Sequence, residues 1–551
     1  MPAEASRNDP NWWQRAVVYQ VYPRSFQDSN GDGIGDLQGI IQRLDYLNDG
    51  TERSLGIDAI WLSPTFPSPM KDFGYDVSDY EGVHPDFGDL GDMDRLIEEC
   101  HQRGIRVLLD WVPNHTSDEH PWFVESRSSR SSPKRDWYVW RDPKPDGSPP
   151  NNWRSAFGGP AWTFDEATGQ YYLHSFLKEQ PDLNWRNPEV ERAMHDTLRF
   201  WLRRGVDGFR MDVIGQIVKH PDLPDNPPNP RYVEGSLQPR YLLRYNRNYE
   251  EVYEAVRRIR KVLDEFPGSV AVGEVFGSHQ EIARYYGGDA LDGLHLAFNF
   301  TFIHDTERGT GYTPWDAAVA REILLGAEQS VPPGALPCYA LANHDRPRFI
   351  SRHNHDGRGL ERARAAALLL LGVRCVPFVY YGEEIGMVDV AIPSERQQDP
   401  ARHRSIGRDP QRTPMQWDDS PGRGFSNAEP WLPYGPAEIT VAAQVEDPDS
   451  LLALYRDAIH TRKRERSLHE GTFRLVEGPE GTVTWIRQAP GARPVFCAIN
   501  MRTEAVKVPV PWGFSEVLVS TDRTLGERPL EGRLALPPLG GAWVTVADSG
   551  T

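Results

Sequence analysis

Three acidic residues of the chain lie at the ends of short apolar runs. Asp212 lies in GFRMDV, Glu274 lies in AVGEVF, and Asp345 closes ANHD. Two carboxyl groups with pKa values tuned in opposite directions across one cleft are the requirement for glycoside hydrolysis, and a separation of about 5–5.5 Å would make such a reaction retaining. A single carboxyl group in such a position is as often a helix cap or an ion-pair partner, so it is the set of three that predicts a glycoside-hydrolysing site.

The neighbours of two of these carboxyl groups indicate different roles for them. Alternate residues on a strand share a face, so Arg210 and Asp212 are expected to point into the same space, where the guanidinium would lower the pKa of Asp212 and keep it ionised as a nucleophile. Glu274 is flanked by Val272, Gly273, Val275 and Phe276. An apolar setting of this kind raises the pKa of a carboxyl group, so we expect Glu274 to be the general acid.

These acidic residues need a frame that brings several strand ends together, and the rest of the sequence has the pattern of one. Apolar runs typical of buried parallel strands occur at 16–22, 57–63, 105–112, 206–213, 269–275, 294–300, 336–345 and 376–384. Amphipathic helical stretches separate them, at 92–103, 188–204, 249–266 and 359–371. Eight strands alternating with helices predict an α/β fold, a (β/α)8 TIM barrel, in which the carboxyl ends of the strands form the rim of the active site.

Two segments depart from this alternation. Residues 115–174, after the third strand, are rich in Trp, Pro, Ser and Gly, and an insertion of that length predicts a subdomain that overhangs the strand ends. After residue 470 the sequence changes to short alternating runs such as TVTWIRQ and GAWVTVA, which are typical of antiparallel strands. We therefore assign residues 1–114 and 175–470 to the barrel, 115–174 to an inserted subdomain and 471–551 to a C-terminal β-sandwich.

Charge and composition argue against some classes of partner. The 551 residues carry a formal net charge of −18, which repels nucleic-acid backbones and anionic membrane surfaces, so a neutral small molecule is the expected partner. The N-terminal residues lack a basic start followed by an apolar run, and no segment approaches about 18 uninterrupted apolar residues. We expect a cytoplasmic protein that binds neither nucleic acid nor membrane. Four scattered cysteines lack metal-ligand spacing and are assigned no chemistry: Cys100, Cys338, Cys375 and Cys497.

Five short motifs, in order along the chain, resemble the characteristic sequence regions of the α-amylase superfamily, glycoside hydrolase family 13. They are DWVPNH (110–115), QPDLN (180–184), GFRMDV (208–213), GEV with Glu274, and NHD (343–345). The resemblance implies that Asp212 is the nucleophile, Glu274 the acid/base and Asp345 the transition-state stabiliser that holds the sugar hydroxyls. It also implies three contacts to the glucose in the reacting subsite: His115, Arg210 and His344.

Two further motifs, KDFGYD (71–76) and GRDPQRTPMQW (407–417), resemble the exo-acting α-glucosidase and oligo-1,6-glucosidase branch of that superfamily. By resemblance, Asp72 and Arg408 close the pocket on the non-reducing end of a short α-linked oligosaccharide. Tyr75 would stack on the sugar ring. Phe157, in the inserted segment, would form a further wall of this pocket. Simple loop packing is the alternative role for the two aromatic side chains.

Val213 follows the nucleophile directly, and in the resembling branch a valine there is typical of enzymes that accept α-1,6 bonds. We therefore expect isomaltose-type substrates, with some α-1,4 bonds and some transglucosylation. A residue that only continues a strand is the alternative interpretation of Val213. Two other functions stay open, since a fold does not fix an activity. One is a transglycosylase or isomerase of the same superfamily, such as a trehalose synthase, isomaltulose synthase or amylosucrase-like enzyme; the other is a non-catalytic binding protein.

The loop DSNGDGIGD (28–36) has oxygen-bearing side chains at alternating positions, like the first nine residues of a calcium-binding loop. Gly39 stands where such a loop would carry a bidentate glutamate, so a Gly/Asp-rich turn is the alternative. The resemblance to the branch implies a structural divalent ion, Ca²⁺ or Mg²⁺, away from the catalytic residues, and no organic cofactor. The implied ligands are the side chains of Asp28, Asn30, Asp32 and Asp36 and the main-chain carbonyl of Ile34.

Overall fold

Each of the eight apolar runs contains a strand. The computed structural model describes residues 9–233, 239–305, 311–403, 407–511, 513–527 and 532–546. The strands in these ranges are β1 (Val18–Val21), β2 (Ala59–Leu62), β3 (Arg106–Trp111), β4 (Trp140–Arg141), β5 (Trp162–Asp165), β6 (Gln170–Leu173), β7 (Gly208–Met211), β8 (Val270–Gly273), β9 (Leu296–Asn299), β10 (His304–Asp305), β11 (Gly311–Tyr312), β12 (Cys338–Ala340), β13 (Val376–Tyr380), β14 (Thr472–Leu475), β15 (Thr482–Gln488), β16 (Val495–Asn500), β17 (Val506–Pro509), β18 (Phe514–Ser520), β19 (Arg533–Leu536) and β20 (Gly541–Val546).

Eight of these strands, all parallel to their neighbours, close into a barrel. Their order around it is β1-β13-β12-β9-β8-β7-β3-β2, and β1 pairs with both β2 and β13 to complete the circle. Because every strand runs in the same direction, all the carboxyl ends meet at one rim. The predicted (β/α)8 barrel is confirmed.

Helices alternate with the barrel strands. Within the described residues they are α1 (Leu37–Gln42), α2 (Leu44–Leu47), α3 (Leu90–Gln102), α4 (Pro121–Ser128), α5 (Pro188–Arg203), α6 (Val252–Leu263), α7 (His279–Ala283), α8 (Ala317–Ser330), α9 (Phe349–Arg352), α10 (Gly359–Gly372), α11 (Val441–Gln444), α12 (Leu451–Arg464) and α13 (Arg466–His469). Helix α5 shows why these segments form: the Asn187 side chain caps its first turn, Pro188 occupies its first position, and Val190, Met194 and Leu198 recur on one buried face.

The strand register sets which side chains meet at the rim. Asp110 on β3 is the register partner of Arg210 on β7, and Arg210 is in turn the partner of Val272 on β8. Strand β12 is much shorter than its predicted run, because the chain turns after it: the Asn343 side chain accepts the N–H of Asp345 and bends the segment away from the sheet. The catalytic candidates therefore lie just beyond the strand ends.

Smaller antiparallel sheets lie outside the barrel. One within the inserted segment has the order β4-β6-β5, and two after α13 have the orders β14-β15-β16-β20-β18 and β17-β19. The indole N–H groups of Trp485 and Trp543 donate to the carbonyls of Gly372 and Leu368 and so fasten the five-stranded sheet to α10. The domain boundaries at 115–174 and 471–551 stay predictions.

Across the described ranges, no helix combines the length and the apolar character needed to cross a bilayer. All four cysteines are buried and none forms a disulfide.

Candidate active site

The centre of the candidate active site is a buried arginine at the carboxyl rim of the barrel. Arg210, the third residue of β7, is fully buried. Its Nη1 donates hydrogen bonds to Oδ1 of Asp110 at 2.8 Å and to Oδ1 of Asp212 at 2.7 Å. Its Nη2 lies 2.9 Å from Oε2 of Glu274. Three carboxyl groups, from β3 and from the residues that follow β7 and β8, therefore converge on one guanidinium.

Burial dominates the pKa values of this cluster. Burial raises the pKa of Asp110 to about 6, against the opposing effect of Arg210. Burial also raises the pKa of Asp212 well above its ordinary value, and the charges of Glu274 and Asp110 add to this, whereas Arg210 opposes it. The expectation that Arg210 sets a low pKa for Asp212 is wrong in its net direction, because it leaves out burial and two neighbouring carboxyl groups. One positive charge shared by three buried carboxyl groups favours retention of a proton in the cluster.

Glu274 is held by the main chain of the residue that follows the nucleophile candidate. The N–H of Val213 donates to Oε2 of Glu274 at 3.0 Å. Val213 has φ 36° and ψ 40°, in the left-handed region that β-branched residues rarely adopt. With the Val213 N–H and Arg210 on the same oxygen, Glu274 does not lie in the purely apolar setting that its sequence neighbours predict, because its polar contacts come from the adjacent strand.

Asp345 lies among cations. Its Oδ1 accepts hydrogen bonds from Nη1 of Arg408 at 3.1 Å and from Nη2 of Arg412 at 2.9 Å. Its Oδ2 lies 3.4 Å from Nε2 of His344. Burial alone would raise the pKa of Asp345, but His344 and the two arginines outweigh it and hold that pKa well below its ordinary value. Asp345 is therefore ionised throughout the neutral range, as a side chain that stabilises positive charge on a sugar ring must be.

A chain of hydrogen bonds joins His344 to the Arg210 cluster. Nε2 of Gln20 contacts Nδ1 of His344 at 2.8 Å, and Nε2 of His344 contacts Oη of Tyr75 at 2.6 Å. That hydroxyl donates to Oδ2 of Asp110 at 3.0 Å. Burial lowers the pKa of His344 well below its ordinary value, so the ring is neutral and carries one N–H. Since Gln20 donates to Nδ1, we assign that N–H to Nε2, which leaves the hydroxyl hydrogen of Tyr75 for Asp110.

Arg408 closes the site next to Asp345. Its Nη2 donates to Oδ1 of Asp72 at 2.5 Å. Asp399, which is fully buried, accepts hydrogen bonds from the main-chain N–H and from the guanidinium of Arg408. The guanidinium carbon lies 5.2 Å from the centroid of the Phe157 ring. The structure thus brings Asp72, Phe157 and Arg408 together at the end of the site defined by Asp345.

Gln180 ties His115 to the same end. Its Nε2 donates to Oδ2 of Asp72 at 3.1 Å and lies 3.2 Å from Nε2 of His115. Nδ2 of Asn114 lies 3.1 Å from the other ring nitrogen. Burial lowers the pKa of His115 to about 4, so this ring is also neutral. The residues predicted for catalysis and for substrate contact therefore form one connected network.

Several members of this network are absent from the sequence prediction, among them Asp110, Gln180, Asp399 and Arg412. Asp110 and Gln180 stand inside motifs that the sequence singles out, and Arg412 lies four residues after Arg408 in a third motif. Asp110 could have been found from its position. It is a polar residue at the carboxyl end of the strand that neighbours β7, so it lies at the rim that carries Arg210 and Asp212. Asp399 carries no comparable signal, because no sequence pattern predicts its contact with Arg408.

The predicted cation loop is folded by hydrogen bonds to its own side chains. Asp28 accepts three main-chain N–H groups of the loop and the hydroxyl of Ser426. Asn30 and Asp32 each accept the N–H two residues ahead, and Asp36 caps α1. These contacts make the segment a series of Asx turns.

The chemistry of the predicted ligands nevertheless fits a hard divalent cation. Within the ranges that the structure describes, no group of three or more His, Cys, Asp and Glu side chains is arranged to hold a metal. The predicted set, however, includes the amide of Asn30 and the carbonyl of Ile34, and every donor in it is an oxygen, which is the ligand type that Ca²⁺ and Mg²⁺ prefer.

Known proteins match this chain over most of its length. The model of the alpha amylase catalytic domain matches residues 20–471. Over 525 residues, 91% of this chain and 92% of the relative, the sequence is 46% identical to a probable alpha-glucosidase of Rhizobium meliloti (strain 1021). It is 43% identical over 497 residues to an oligo-1,6-glucosidase of Parageobacillus thermoglucosidasius, covering 84% of this chain and 86% of that protein. Among solved structures, the alpha-glucosyl transfer enzyme XgtA superposes with a TM-score of 0.89 at 39% identity, over 97% of this chain and 99% of that one.

The barrel, the shared arginine at its rim and these matches lead to the same assignment. The chain belongs to the α-amylase family of glycoside hydrolases.

Proposed function

We propose that the protein is a retaining, exo-acting α-glucosidase that releases glucose from the non-reducing end of short α-glucosides. The observation that carries this proposal is the position of Arg408, which contacts both Asp345 and Asp72. An ion pair at that point would leave room for one terminal sugar ring and would block a longer chain from passing through the site. The relatives named alpha-glucosidase and oligo-1,6-glucosidase support the same activity.

The proposed reaction is a double displacement. Asp212 attacks the anomeric carbon while Glu274 gives its proton to the glycosidic oxygen, so the leaving sugar departs as an alcohol and a glucosyl ester of Asp212 forms. A water molecule then gives a proton to Glu274 and attacks the same carbon, which releases glucose and restores both carboxyl groups. Two inversions at one carbon return it to the α configuration.

The Arg210 cluster supports this assignment of roles. The acid must begin the cycle protonated, and three carboxyl groups around one guanidinium favour such a proton. When Glu274 holds it, the acid carries no charge to raise the pKa of Asp212. The Nη1 of Arg210, 2.7 Å from Oδ1 of Asp212, then favours the ionised nucleophile.

The other residues of the network would bind the terminal glucose. Asp345 is ionised and would accept hydrogen bonds from sugar hydroxyls while stabilising positive charge on the ring. His115 and His344 are neutral and so suit hydroxyl groups better than anions. Tyr75 and Phe157 would supply aromatic contacts to the ring faces.

Substrate comparison tests this proposal. We expect the purified protein to release glucose from isomaltose fastest and from maltose more slowly, in keeping with Val213 beside the nucleophile. Sucrose and trehalose complete the panel. Faster release from maltose than from isomaltose would contradict the linkage assignment, and no release from any of the four would contradict the glucosidase proposal itself.

A glucosyl-transferring enzyme is the second candidate. The match to the alpha-glucosyl transfer enzyme favours it, since the same covalent intermediate can be passed to a sugar instead of water. The two functions separate in a reaction with concentrated maltose, in which free glucose and new oligosaccharides are quantified together. Hydrolysis of maltose yields only glucose, whereas transfer yields one free glucose for each extended sugar and rearrangement yields none. Extended or rearranged sugars in amounts close to or above that of free glucose would therefore establish transfer as the main activity.

We further propose that the loop 28–36 binds a structural Ca²⁺ or Mg²⁺ ion. The side chains of Asp28, Asn30, Asp32 and Asp36 and the carbonyl of Ile34 would hold it. Bound there, the ion would add cohesion to a loop that already contacts Ser426, and no residue of the proposed reaction depends on it. A hard cation is the chemistry that five oxygen donors favour.

Location and partners rest on the sequence alone. We propose that the protein acts on small oligosaccharides in the cytoplasm and binds neither nucleic acid nor membrane, in keeping with its net charge of −18. Fractionation of cells that produce it tests the location: the glucosidase activity should follow a cytoplasmic marker.

A further inference from the structure

A buried polar cluster at the end of β13 has no part in the proposed reaction. Glu383 and Glu384 lie just after β13, with 8% and 0% of their surface exposed. Oε1 of Glu383 accepts a hydrogen bond from Oη of Tyr455 at 2.8 Å. Oε1 of Glu384 accepts hydrogen bonds from two further tyrosines, Tyr19 and Tyr46. In the described part of the chain, Oε2 of each glutamate has no hydrogen-bond partner, an arrangement that destabilises a protein interior unless something completes it.

A buried arginine of the Asp345 loop has unpartnered atoms as well. Arg348 lies three residues after Asp345, and its guanidinium carbon is 4.7 and 4.9 Å from the ring centroids of Tyr380 and Tyr381. Its Nη1 donates to the carbonyl of Tyr381 at 2.8 Å. Its Nε and Nη2 have no hydrogen-bond partner among the residues described. Arg348 therefore ties the end of β13 to the loop that carries Asp345.

Arg348 and Glu383 line the same small cavity. Its volume is about 10 Å³, and every residue that lines it is buried. About 10–15 Å³ is enough for one water molecule when at least two polar partners face it. Nε and Nη2 of Arg348 can donate to such a water and Oε2 of Glu383 can bond to it, so one water would satisfy all three unpartnered atoms.

The end of β13 also fixes the arginine on the other side of Asp345. The hydroxyls of Tyr380 and Tyr381 donate to the carbonyls of the residues on either side of Arg412, at 3.0 and 2.7 Å. Arg412 in turn donates to Oδ1 of Asp345 at 2.9 Å. A shift at the end of β13 would therefore displace both Arg348, which lies on the loop that carries Asp345, and Arg412, which donates to Asp345.

We propose that Glu383 and Arg348 are positioning residues for Asp345, joined by one buried water molecule that completes the polar contacts of both. The inference rests on the proposed glucosidase function, in which Asp345 stabilises the transition state. Burial raises the pKa of Glu383 to about 8, so its carboxyl group is neutral in the range where the enzyme would be assayed. A glutamine at that position would mimic the neutral form.

The kinetic test compares two buried arginines. Arg348→Met should lower kcat on isomaltose by about 10–100-fold, with KM within about threefold of wild type, because a misplaced stabiliser mainly affects the transition state. The matched control is Arg462→Met. Arg462 is equally buried, and it donates to main-chain carbonyls that belong neither to the end of β13 nor to the Asp345 loop, among them those of Leu371 and Cys375. The control variant should melt at a lower temperature and keep kcat within about twofold of wild type.

Two variants of Glu383 complete the kinetic test. Glu383→Gln should keep kcat within about threefold of wild type, whereas Glu383→Leu, which removes the polar contacts to Tyr455 and to the water, should lower it about tenfold. An equal fall of kcat in Arg348→Met and Arg462→Met, or no fall in Arg348→Met, would overturn the proposal.

A high-resolution crystal structure of the wild-type protein supplies a test that does not depend on activity. We expect an ordered water within hydrogen-bond distance of Arg348 and Glu383. Electron density without a water in this cavity, or direct contact between the two side chains, would overturn the inference. A wild-type protein with this water that hydrolyses no α-glucoside would instead contradict the proposed function and leave the water site in place.

Discussion

The two charged clusters of the active site differ in how many cations contact each catalytic carboxyl group. Around Arg210, three carboxyl groups share one guanidinium, whereas Asp345 accepts hydrogen bonds from two guanidinium groups, one of which also pairs with Asp72 and Asp399. Burial raises the pKa of Asp212 in the first cluster, and nearby cations hold the pKa of Asp345 low in the second. The difference separates two tasks: the Arg210 cluster can exchange a proton near neutral pH, and the Asp345 cluster holds a fixed negative charge.

The largest expected effects come from replacing each carboxylate by its amide. Asp212→Asn and Asp345→Asn should each lower kcat by about 10³-fold or more, because each removes a charge that the transition state needs. Their effects on stability should differ. The fold disfavours ionised Asp212, so its variant should melt at or above the wild-type temperature; the fold favours ionised Asp345, so its variant should melt about 1–3 °C lower.

Calorimetry at pH 7 on the wild type and both variants measures this contrast. The sign follows from the pKa directions: ionisation of Asp212 at pH 7 opposes folding, while ionisation of Asp345 contributes stability that is present above its unfolded pKa and lost only in acid. Equal losses of melting temperature in the two variants would show that the fold does not distinguish ionised Asp345 from ionised Asp212.

The pH profile of the Arg210 cluster should respond to Asp110. The charge of Asp110 raises the pKa of Asp212. Asp110→Asn should therefore let the nucleophile ionise at lower pH and shift the acid limb of the kcat/KM profile to lower pH. The wild-type limb should lie above the ordinary pKa of an aspartate, because burial raises the pKa of Asp212. Asp399→Asn, in the other cluster, is the control: it should lower the rate without moving the limb. An acid limb at the same pH in Asp110→Asn and wild type would contradict an effect of Asp110 on the pKa of Asp212.

The barrel could be predicted from the sequence, because buried parallel strands are short continuous apolar runs that can be counted. Most of the site could be predicted too, since Arg210, Asp212 and Glu274 lie at the ends of such runs. The carboxyl end of β12 could not be predicted, because the N–H of Asp345 donates to the Asn343 side chain and the chain bends where its apolar run continues.

The electrostatics of the site depend on contacts between strands, which a single sequence does not reveal. The pKa of Asp212 depends on burial and on Asp110, 100 residues away from Arg210 along the chain. The left-handed conformation of Val213 has no sequence signal either, because a β-branched residue is the least expected one there. The contact of Asp399 with Arg408 likewise has no sequence signal.

A smaller effect should mark the outer boundary of the Asp345 cluster. Phe157 lies against Arg408, so Phe157→Ala should raise KM for isomaltose by about 3–10-fold with little change in kcat, through loss of an aromatic contact to the terminal sugar. Phe164→Ala is the matched control, because that ring is on β5 of the same inserted segment and 44% exposed. Steady-state kinetics on both variants decides the point, and an equal KM for both would reduce Phe157 to loop packing.

The smallest effect should lie outside both clusters, at the loop 28–36. Removal of a bound ion by a chelator should lower the melting temperature by about 1–3 °C and leave kcat at 25 °C unchanged, because the ion would order a loop that takes no part in the chemistry. Added Ca²⁺ or Mg²⁺ should restore the temperature and identify the preferred ion. A melting temperature that responds to neither chelator nor cation would contradict the metal site.

The most direct test of the central claim is the configuration of the first sugar released. Hydrolysis of p-nitrophenyl α-glucoside, followed by proton NMR from the first minutes, reports only the glucose of the attacked ring. The proposed double displacement predicts that α-glucose appears first and that the β anomer accumulates later by mutarotation. Initial release of β-glucose would contradict a covalent intermediate on Asp212 and, with it, the retaining mechanism.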